Sequence, residues 1–221
     1  MPVHSLATLR QTSDVKFRKL QLHMFSQIDG DAILEFSTTV SRATAKKLKV
    51  LSREQRKQAK KLLDQGIAAE VLNHYVEDEL ALAEEVTHLA DKLAIVALYG
   101  KVELSIKAML GVAIPTIDVK QLFRWKNVGR ALQRIGITLQ SIASYKDVNQ
   151  LRCLNNAIKH GTKVGSELAS TGWGRAQDDI DASKCARELY DFVENGSKFL
   201  LDLRGHLLRS IVNNKTIKGD S

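Results

Sequence analysis

Prolines, cysteines and aromatic residues are scarce in this chain. Its 221 residues include two prolines and two cysteines, and Phe, Trp and Tyr together make up 5%. Because proline is the strongest helix breaker and aromatic residues favour strands, this scarcity predicts an all-α fold. Cys153 and Cys185 do not form a Cys-x-x-Cys motif, and residues 1–20 lack the continuous apolar segment that is typical of a secretory leader. We therefore expect reduced thiols and a cytoplasmic location.

Long apolar runs and cofactor motifs are also missing. The most apolar stretch, 93–114, is interrupted by Lys101, Glu103 and Lys107, so we expect no membrane span. The six histidines form no His-x-x-x-His pair and have no neighbouring cysteine ligand, which argues against a zinc site. No phosphate-binding glycine loop or nucleophile elbow is present, so we expect neither a metal nor a cofactor.

The excess of positive charge, formally +8, is concentrated in one segment. Nine basic residues and one acid lie between 42 and 61, and seven acids without a base lie between 67 and 91. These neighbouring segments of opposite sign, separated by Gly66, predict an antiparallel helical hairpin. A basic run of this density is able to follow a phosphate backbone. The alternative is that it faces the acidic helix or is simply solvated.

Helical periodicity extends along most of the chain. Residues 1–30 fit a strand and a helix equally well, whereas Ser52–Gln55 has the form of a capping box and predicts a helix start. A long helix is expected over 68–110, with Gly100 as a candidate break. The remaining expectations are helices at 118–135, 144–160 and 181–212, a glycine-containing loop at 162–179, and a frayed tail at 213–221.

The stretch Gln150–Gly161, QLRCLNNAIKHG, resembles the signature helix of HEPN domains, the "higher eukaryotes and prokaryotes nucleotide-binding" superfamily. In that helix an arginine and a following polar residue precede a histidine. The segment 97–110 similarly resembles a core helix of the family. The resemblance covers about residues 66–212 and implies an up-and-down helical bundle. Residues 1–65 would then form a helical or partly extended N-terminal appendage, and 213–221 a flexible tail.

The resemblance implies metal-independent RNA cleavage by a homodimer, at a site shared by its two protomers, in a toxin–antitoxin or phage-defence type of system. A protein inhibitor or antitoxin would be a further partner. In this chemistry a 2′-hydroxyl attacks the neighbouring phosphate while a histidine acts as general acid or base. An arginine stabilises the charge that develops on the phosphate oxygens, because its guanidinium stays charged and matches them bidentately.

Carried onto this chain, the resemblance makes His160 the acid or base, Arg152 the phosphate-stabilising cation and Asn156 the orienting group. These three residues follow one another at i, i+4 spacing, so a helix would place them along one face. The expected substrate-binding residues are Asn155, Lys159 and Lys163 beside them and Lys46, Lys47, Arg53 and Lys57 in the basic tract.

Asn155 occupies the position where the family most often has its arginine, and an asparagine supplies no positive charge. A second hypothesis is therefore a non-catalytic helical module that binds a protein, a nucleotide or RNA. A third is a structural or assembly protein whose basic tract is only surface. Asn155 and Asn156 could equally form an interhelical hydrogen-bonding pair in the core, and His160 could simply interact with the carbonyls at a helix end.

Overall fold

A computed structural model describes the backbone of residues 6–64, 70–161 and 163–218, and the side chains of 14–62, 64, 77–161 and 163–212. Within these ranges there are seven α-helices, two short 3-10 turns and no strand, which confirms the all-α prediction. The helices are α1 (Leu6–Phe25), α2 (Asp31–Asp64), α3 (Glu70–Ala113), α4 (Trp125–Gln133), α5 (Tyr145–His160), α6 (Ser166–Ala169) and α7 (Ala182–Lys218). The 3-10 turns are Val119–Phe123 and Leu139–Ser141.

The long helix α3 packs against α1, α2, α5 and α7 and supplies the centre of the core. Its C-terminal half is apolar on most sides, and neighbouring helices cover most of that surface. The fully buried core side chains from α3 and α7 include Ile95, Leu98, Val102, Leu110, Phe199, Leu200, Leu203 and Leu207. Burying one such side chain contributes about 1.5–3 kcal/mol, so the α3–α7 contact is a main source of stability.

Helices α2 and α3 form the antiparallel hairpin that the charge pattern predicts. Three side-chain contacts join them: Ser37 Oγ donates to Asp91 Oδ1 (2.9 Å), Thr44 Oγ1 lies 3.0 Å from Thr87 Oγ1, and Lys47 Nζ lies 2.8 Å from Glu79 Oε2. Residue numbers rise along α2 as they fall along α3, which confirms the antiparallel direction. Gly66, the expected turn, lies outside the described residues.

The N-terminal segment is helical where it is described, so α1 resolves the ambiguity between strand and helix. Leu22 of α1 and Ile33 of α2 are buried in the same core as α3. The Arg18 guanidinium donates hydrogen bonds to the carbonyl oxygens of Val112 (2.6 and 2.9 Å) and Ala113 (2.9 Å). Carbonyls at a helix end lack partners within the helix, so α1 caps the C-terminus of α3. The proposed division at residue 65 stays a prediction.

Three local boundary predictions differ from the structure. Ser52 does not start a helix, because α2 already begins at Asp31 and passes through it without interruption. A capping sequence offers only a local alternative, and extending an existing helix avoids the cost of a new nucleus. Gly100 does not break α3, which runs through it for 44 residues, and α7 continues to Lys218, beyond the predicted end at 212.

The region after α3 follows the predicted boundaries more closely. Asp118 does cap a helical turn, since its Oδ1 accepts the Lys120 N–H (3.0 Å), but the expected single helix is divided at Arg124 into a 3-10 turn and α4. Gly136 ends the segment at a φ of 76°, a left-handed conformation that glycine adopts without strain. The predicted loop at 162–179 contains the one-turn helix α6.

Gly30, between α1 and α2, generates a stability prediction. A Cβ atom at this buried position would lie 2.3 Å from Val193 Cγ1 on α7, and a β-branched valine has little rotamer freedom to move away. We expect Gly30→Ala to lower the free energy of unfolding by about 1–3 kcal/mol in urea denaturation.

Gly100→Ala is the matched control, since nothing lies within 4 Å of a Cβ built there. Alanine in an open helical position should raise stability by about 0.5–1 kcal/mol. Equal stability of the two variants would contradict the close contact between Gly30 and α7.

Candidate functional site

Helix α5 carries the stretch that resembles the HEPN signature, and its observed bounds match the predicted helix at 144–160. It begins after Ser144, whose φ of 57° is left-handed, and it ends at Gly161, whose N–H donates to Ala157 O (3.0 Å). Leu151 and Leu154 face the core, and the helix packs on α3, α6 and α7. This packing sets which side of α5 is free for a ligand.

Arg152 lies in a buried polar cluster and not on a free surface. The residue is 8% exposed, and its Nε and Nη2 donate to Asn149 Oδ1 at 3.1 and 3.0 Å. Nη2 also donates to Glu167 Oε1 on α6 and to Cys153 Sγ (3.2 Å), and the guanidinium carbon lies 5.8 Å from the centre of the Trp125 ring. Its polar contacts are thus made within the protein.

The electrostatics of this cluster keep Arg152 charged. Burial alone lowers the pKa of the guanidinium, but the hydrogen bond to Glu167 and nearby negative charge outweigh that effect and raise it above its ordinary value. Burial also raises the pKa of the Cys153 thiol and of the Tyr99 phenol on α3, and Glu103 adds to the effect at Tyr99. Near neutral pH the Cys153 thiol and the Tyr99 phenol are therefore neutral, while Arg152 keeps its ion pair with Glu167.

The two asparagines bond to each other. Asn155 is 2% exposed, and its Nδ2 donates to Asn156 Oδ1 at 3.2 Å. The predicted pair was interhelical; the observed bond is made within α5, because both asparagines belong to the same helix. Asn155 Oδ1 and the indole Nε1 of Trp125 are buried with no hydrogen-bond partner among the described residues. Asn155 therefore does not face an open groove.

His160, Lys159 and Lys163 lie at the other end of α5, where all three are exposed. Lys163 Nζ forms an ion pair with Asp179 Oδ1 (2.8 Å) across the start and end of the 162–179 loop. The structure gives His160 no hydrogen bond to any described residue. It also shows no contact of His160 with Arg152, whose guanidinium binds Asn149 on the preceding turn. The row of Arg152, Asn156 and His160 that was expected on one helix face is therefore buried at Arg152 and exposed at His160.

The basic tract lies on α2, away from the buried cluster of α5. All nine of its basic residues are exposed, including the predicted ligands Lys46, Arg53 and Lys57. Lys47 differs from them because it points towards α3 and pairs with Glu79. The structure therefore separates the predicted site residues into three places: the cluster around Arg152, the end of α5 and the outer side of α2.

Three members of the Arg152 cluster did not stand out in the sequence. Asn149 lies three residues before Arg152, so i, i+3 spacing on the predicted helix could have identified it. Glu167 and Trp125 come from the expected loop and from the start of α4, and no local pattern links them to α5. Their contacts with Arg152 depend on the tertiary structure.

No group of three or more His, Cys, Asp or Glu residues that could hold a metal occurs in the part of the chain that the structure describes. In the same part, no helix has the length and apolarity needed to cross a membrane. Comparisons of the chain with protein-family models, curated proteins and solved structures found no match. The likeness to HEPN domains therefore stays a prediction that rests on the quoted residues.

The role of Arg152 can be tested by comparing how much the loss of Glu167 and the loss of Arg152 each lower the free energy of unfolding. Glu167→Gln leaves a buried guanidinium without its carboxylate and should cost about 1–3 kcal/mol, reduced from a fully buried pair because Glu167 is exposed. Arg152→Met removes the buried charge itself and should cost less, and adding Glu167→Gln to it should cost nothing further. Urea denaturation of the four proteins measures the cycle.

Glu194→Gln is the control, because it breaks an exposed ion pair with Lys198 and should leave unfolding unchanged. If Arg152→Met were the most destabilising variant, the guanidinium would contribute more through packing than through its pair with Glu167.

Proposed function

We propose that the protein binds RNA through the outer face of α2 and does not cleave it. The observation that carries this proposal is the arrangement of the basic residues. Seven of the nine recur at three- and four-residue spacings, which places them on one helix face. This face is called the basic stripe here, and its members are Arg42, Lys46, Lys49, Arg53, Arg56, Lys57 and Lys60.

The basic stripe has dimensions suited to a polyanion. Eighteen residues separate its ends, which corresponds to about 27 Å, so the seven charges are spaced by about 4.5 Å along the axis on average. None of the seven forms an ion pair with a described acid, whereas Lys47, outside the stripe, does. The opposite side of α2, with Ser37 and Thr44, packs on α3. The positive charge is thus held outward by the hairpin and is available to phosphates.

The surroundings of α5 support binding without cleavage. A phosphate could reach the Arg152 guanidinium only by displacing Glu167, because that guanidinium already donates to Glu167 and Asn149 and Arg152 is 8% exposed. Asn155, at the position of the family's usual arginine, is buried as well. His160 is accessible, but it lies about two helical turns from Arg152, roughly 12 Å along the axis. This geometry favours the non-catalytic alternative over the ribonuclease.

Removing three charges from the stripe tests RNA binding. We expect Lys46→Gln/Arg53→Gln/Lys57→Gln to weaken binding of a labelled single-stranded RNA by about 10- to 100-fold at low salt. The slope of log K against log salt concentration should become shallower by about 2, because each lost contact with single-stranded nucleic acid removes about 0.7. Fluorescence anisotropy over a salt series measures both.

Two neighbouring single variants provide the control. Lys46→Gln and Lys47→Gln remove the same charge one residue apart, but only Lys46 belongs to the stripe. Lys46→Gln should weaken RNA binding more than Lys47→Gln does. Equal losses would mean that only net charge matters, and wild-type protein that binds no RNA at low salt would reject the proposal.

Catalysis is tested separately with EDTA present. We expect single-stranded and structured RNA to remain intact during long incubation with the wild-type protein, and His160→Ala to bind RNA as the wild type does. The readout is the length and end chemistry of the RNA. Cleavage that leaves a cyclic phosphate and is lost in His160→Ala would overturn the non-catalytic proposal in favour of the ribonuclease.

A further inference from the structure

Large apolar side chains are exposed along one face of α3. The large residues on this face are Leu82 (48% exposed), Val86 (43%), Leu89 (57%), Leu93 (47%) and Leu104 (68%). Two small residues, Ala97 and Gly100, lie between Leu93 and Leu104 on the same face. These seven positions form the apolar stripe. Leu82, Leu93 and Leu104 are 11 residues apart, a repeat of 3.67 residues per turn that keeps nearly the same angle along a helix. The stripe is therefore an almost straight row.

The rest of the described chain does not cover the apolar stripe. Helices α1, α2, α5 and α7 pack on other sides of α3, and a Cβ added to Gly100 would meet nothing within 4 Å. Single exposed leucines are common on protein surfaces and need no explanation. A continuous row of them is uncommon in a monomer and marks an interaction surface.

We propose that the apolar stripe binds a second copy of itself, with the two α3 helices antiparallel and a two-fold axis at Leu93. The spacings on either side of Leu93 are 4, 3 and 4 residues, so the row is the same in both directions. Antiparallel pairing brings together Leu82 with Leu104, Val86 with Gly100 and Leu89 with Ala97. The small residues of each copy therefore face large residues of the other.

A parallel pair would be less well packed. It would place Ala97 and Gly100 opposite their own copies and leave a gap between Leu93 and Leu104, while large residues meet large residues elsewhere. Close-packed interfaces leave few such voids. The order of large and small side chains along the stripe therefore favours antiparallel pairing with a second copy of the same helix.

The area of the stripe suits a weak dimer. Twenty-two residues separate Leu82 from Leu104, about 33 Å, and half the circumference of a helix over that length amounts to roughly 500 Å² per copy. Two copies would bury roughly 1,000 Å², an area typical of transient interfaces and below that of stable ones. We therefore expect a reversible dimer, with dimer and monomer both present at accessible concentrations.

This interface differs from the dimer that the HEPN resemblance implies, which would use α5. The described large hydrophobic residues with high exposure include none from α5, whose exposed side chains are Lys146, Lys159 and His160. The two dimers are distinguished by which helix responds to substitution. The α3 interface does not depend on RNA binding and can be tested without RNA.

The first experiment is sedimentation velocity of the full chain over a concentration series. Wild-type protein should move from monomer to dimer, and Leu93→Glu should remain monomeric, because a carboxylate at the two-fold axis would face its own copy. Leu80→Glu is the matched control: Leu80 is on the same helix and 42% exposed, but it lies outside the stripe. It should dimerise as the wild type does. Circular dichroism verifies that both variants are folded.

The second experiment tests the position of the axis without adding a charge. Leu93→Cys should be joined to its own copy by a short bismaleimide, whereas Leu80→Cys should not. The native thiols should not react, since Cys153 and Cys185 are buried and burial raises the pKa of Cys185 to about 12.

Wild-type protein that stays monomeric throughout the series would overturn the proposal. A dimer that persists in Leu93→Glu, or that cross-links equally at both introduced cysteines, would also overturn it.

Discussion

The architecture depends on one constraint: α3 must bury an apolar surface that extends most of the way around its C-terminal half. No single neighbour could cover that surface, so α1, α5 and α7 all pack against it, while the side-chain contacts of α2 lie on the N-terminal half of α3. Packing on several sides therefore keeps the middle of α3 helical, and the helix continues through Gly100 without a break. The caps at its end, made by Arg18 from α1, complete the same arrangement.

The helix faces that do not pack against the core determine where charge is exposed in this protein. On α2, the side that meets α3 carries small polar residues and Lys47, which finds Glu79, while the remaining positive charge is turned outward. The hairpin thus explains both readings of the basic tract. One lysine belongs to the ion pair between helices, and the stripe of seven is left to the solvent or to a polyanion.

The positive charge of Arg152, unlike that of the basic stripe, is buried and paired within the protein. Taking a guanidinium out of water is costly unless carboxylate and amide acceptors replace the water, and Glu167 and Asn149 do so here. The same pair ties α6, within the loop at 162–179, to α5. Because its donors are already used by Glu167 and Asn149, the Arg152 guanidinium stabilises the fold. For the same reason it is not free to bind a substrate phosphate.

Local patterns in the sequence were sufficient for the all-α class, the bounds of α5, the caps at Asp118 and Gly136, and the antiparallel hairpin. Each depends on residues close in sequence or on the sign of charge along a helix. Ser52 shows the limit of such patterns, since a capping signal has no effect inside a helix that has already formed.

The candidate site shows the same division. Helical spacing placed Arg152, Asn156 and His160 along one helix, and the density of positive charge identified the basic tract that is exposed on α2. Only the tertiary structure decided that Glu167 and Trp125 reach Arg152 and that one end of the row is closed while the other is open. The physical reason is that burial and long-range pairing are properties of several segments packed together, and no single segment contains that information.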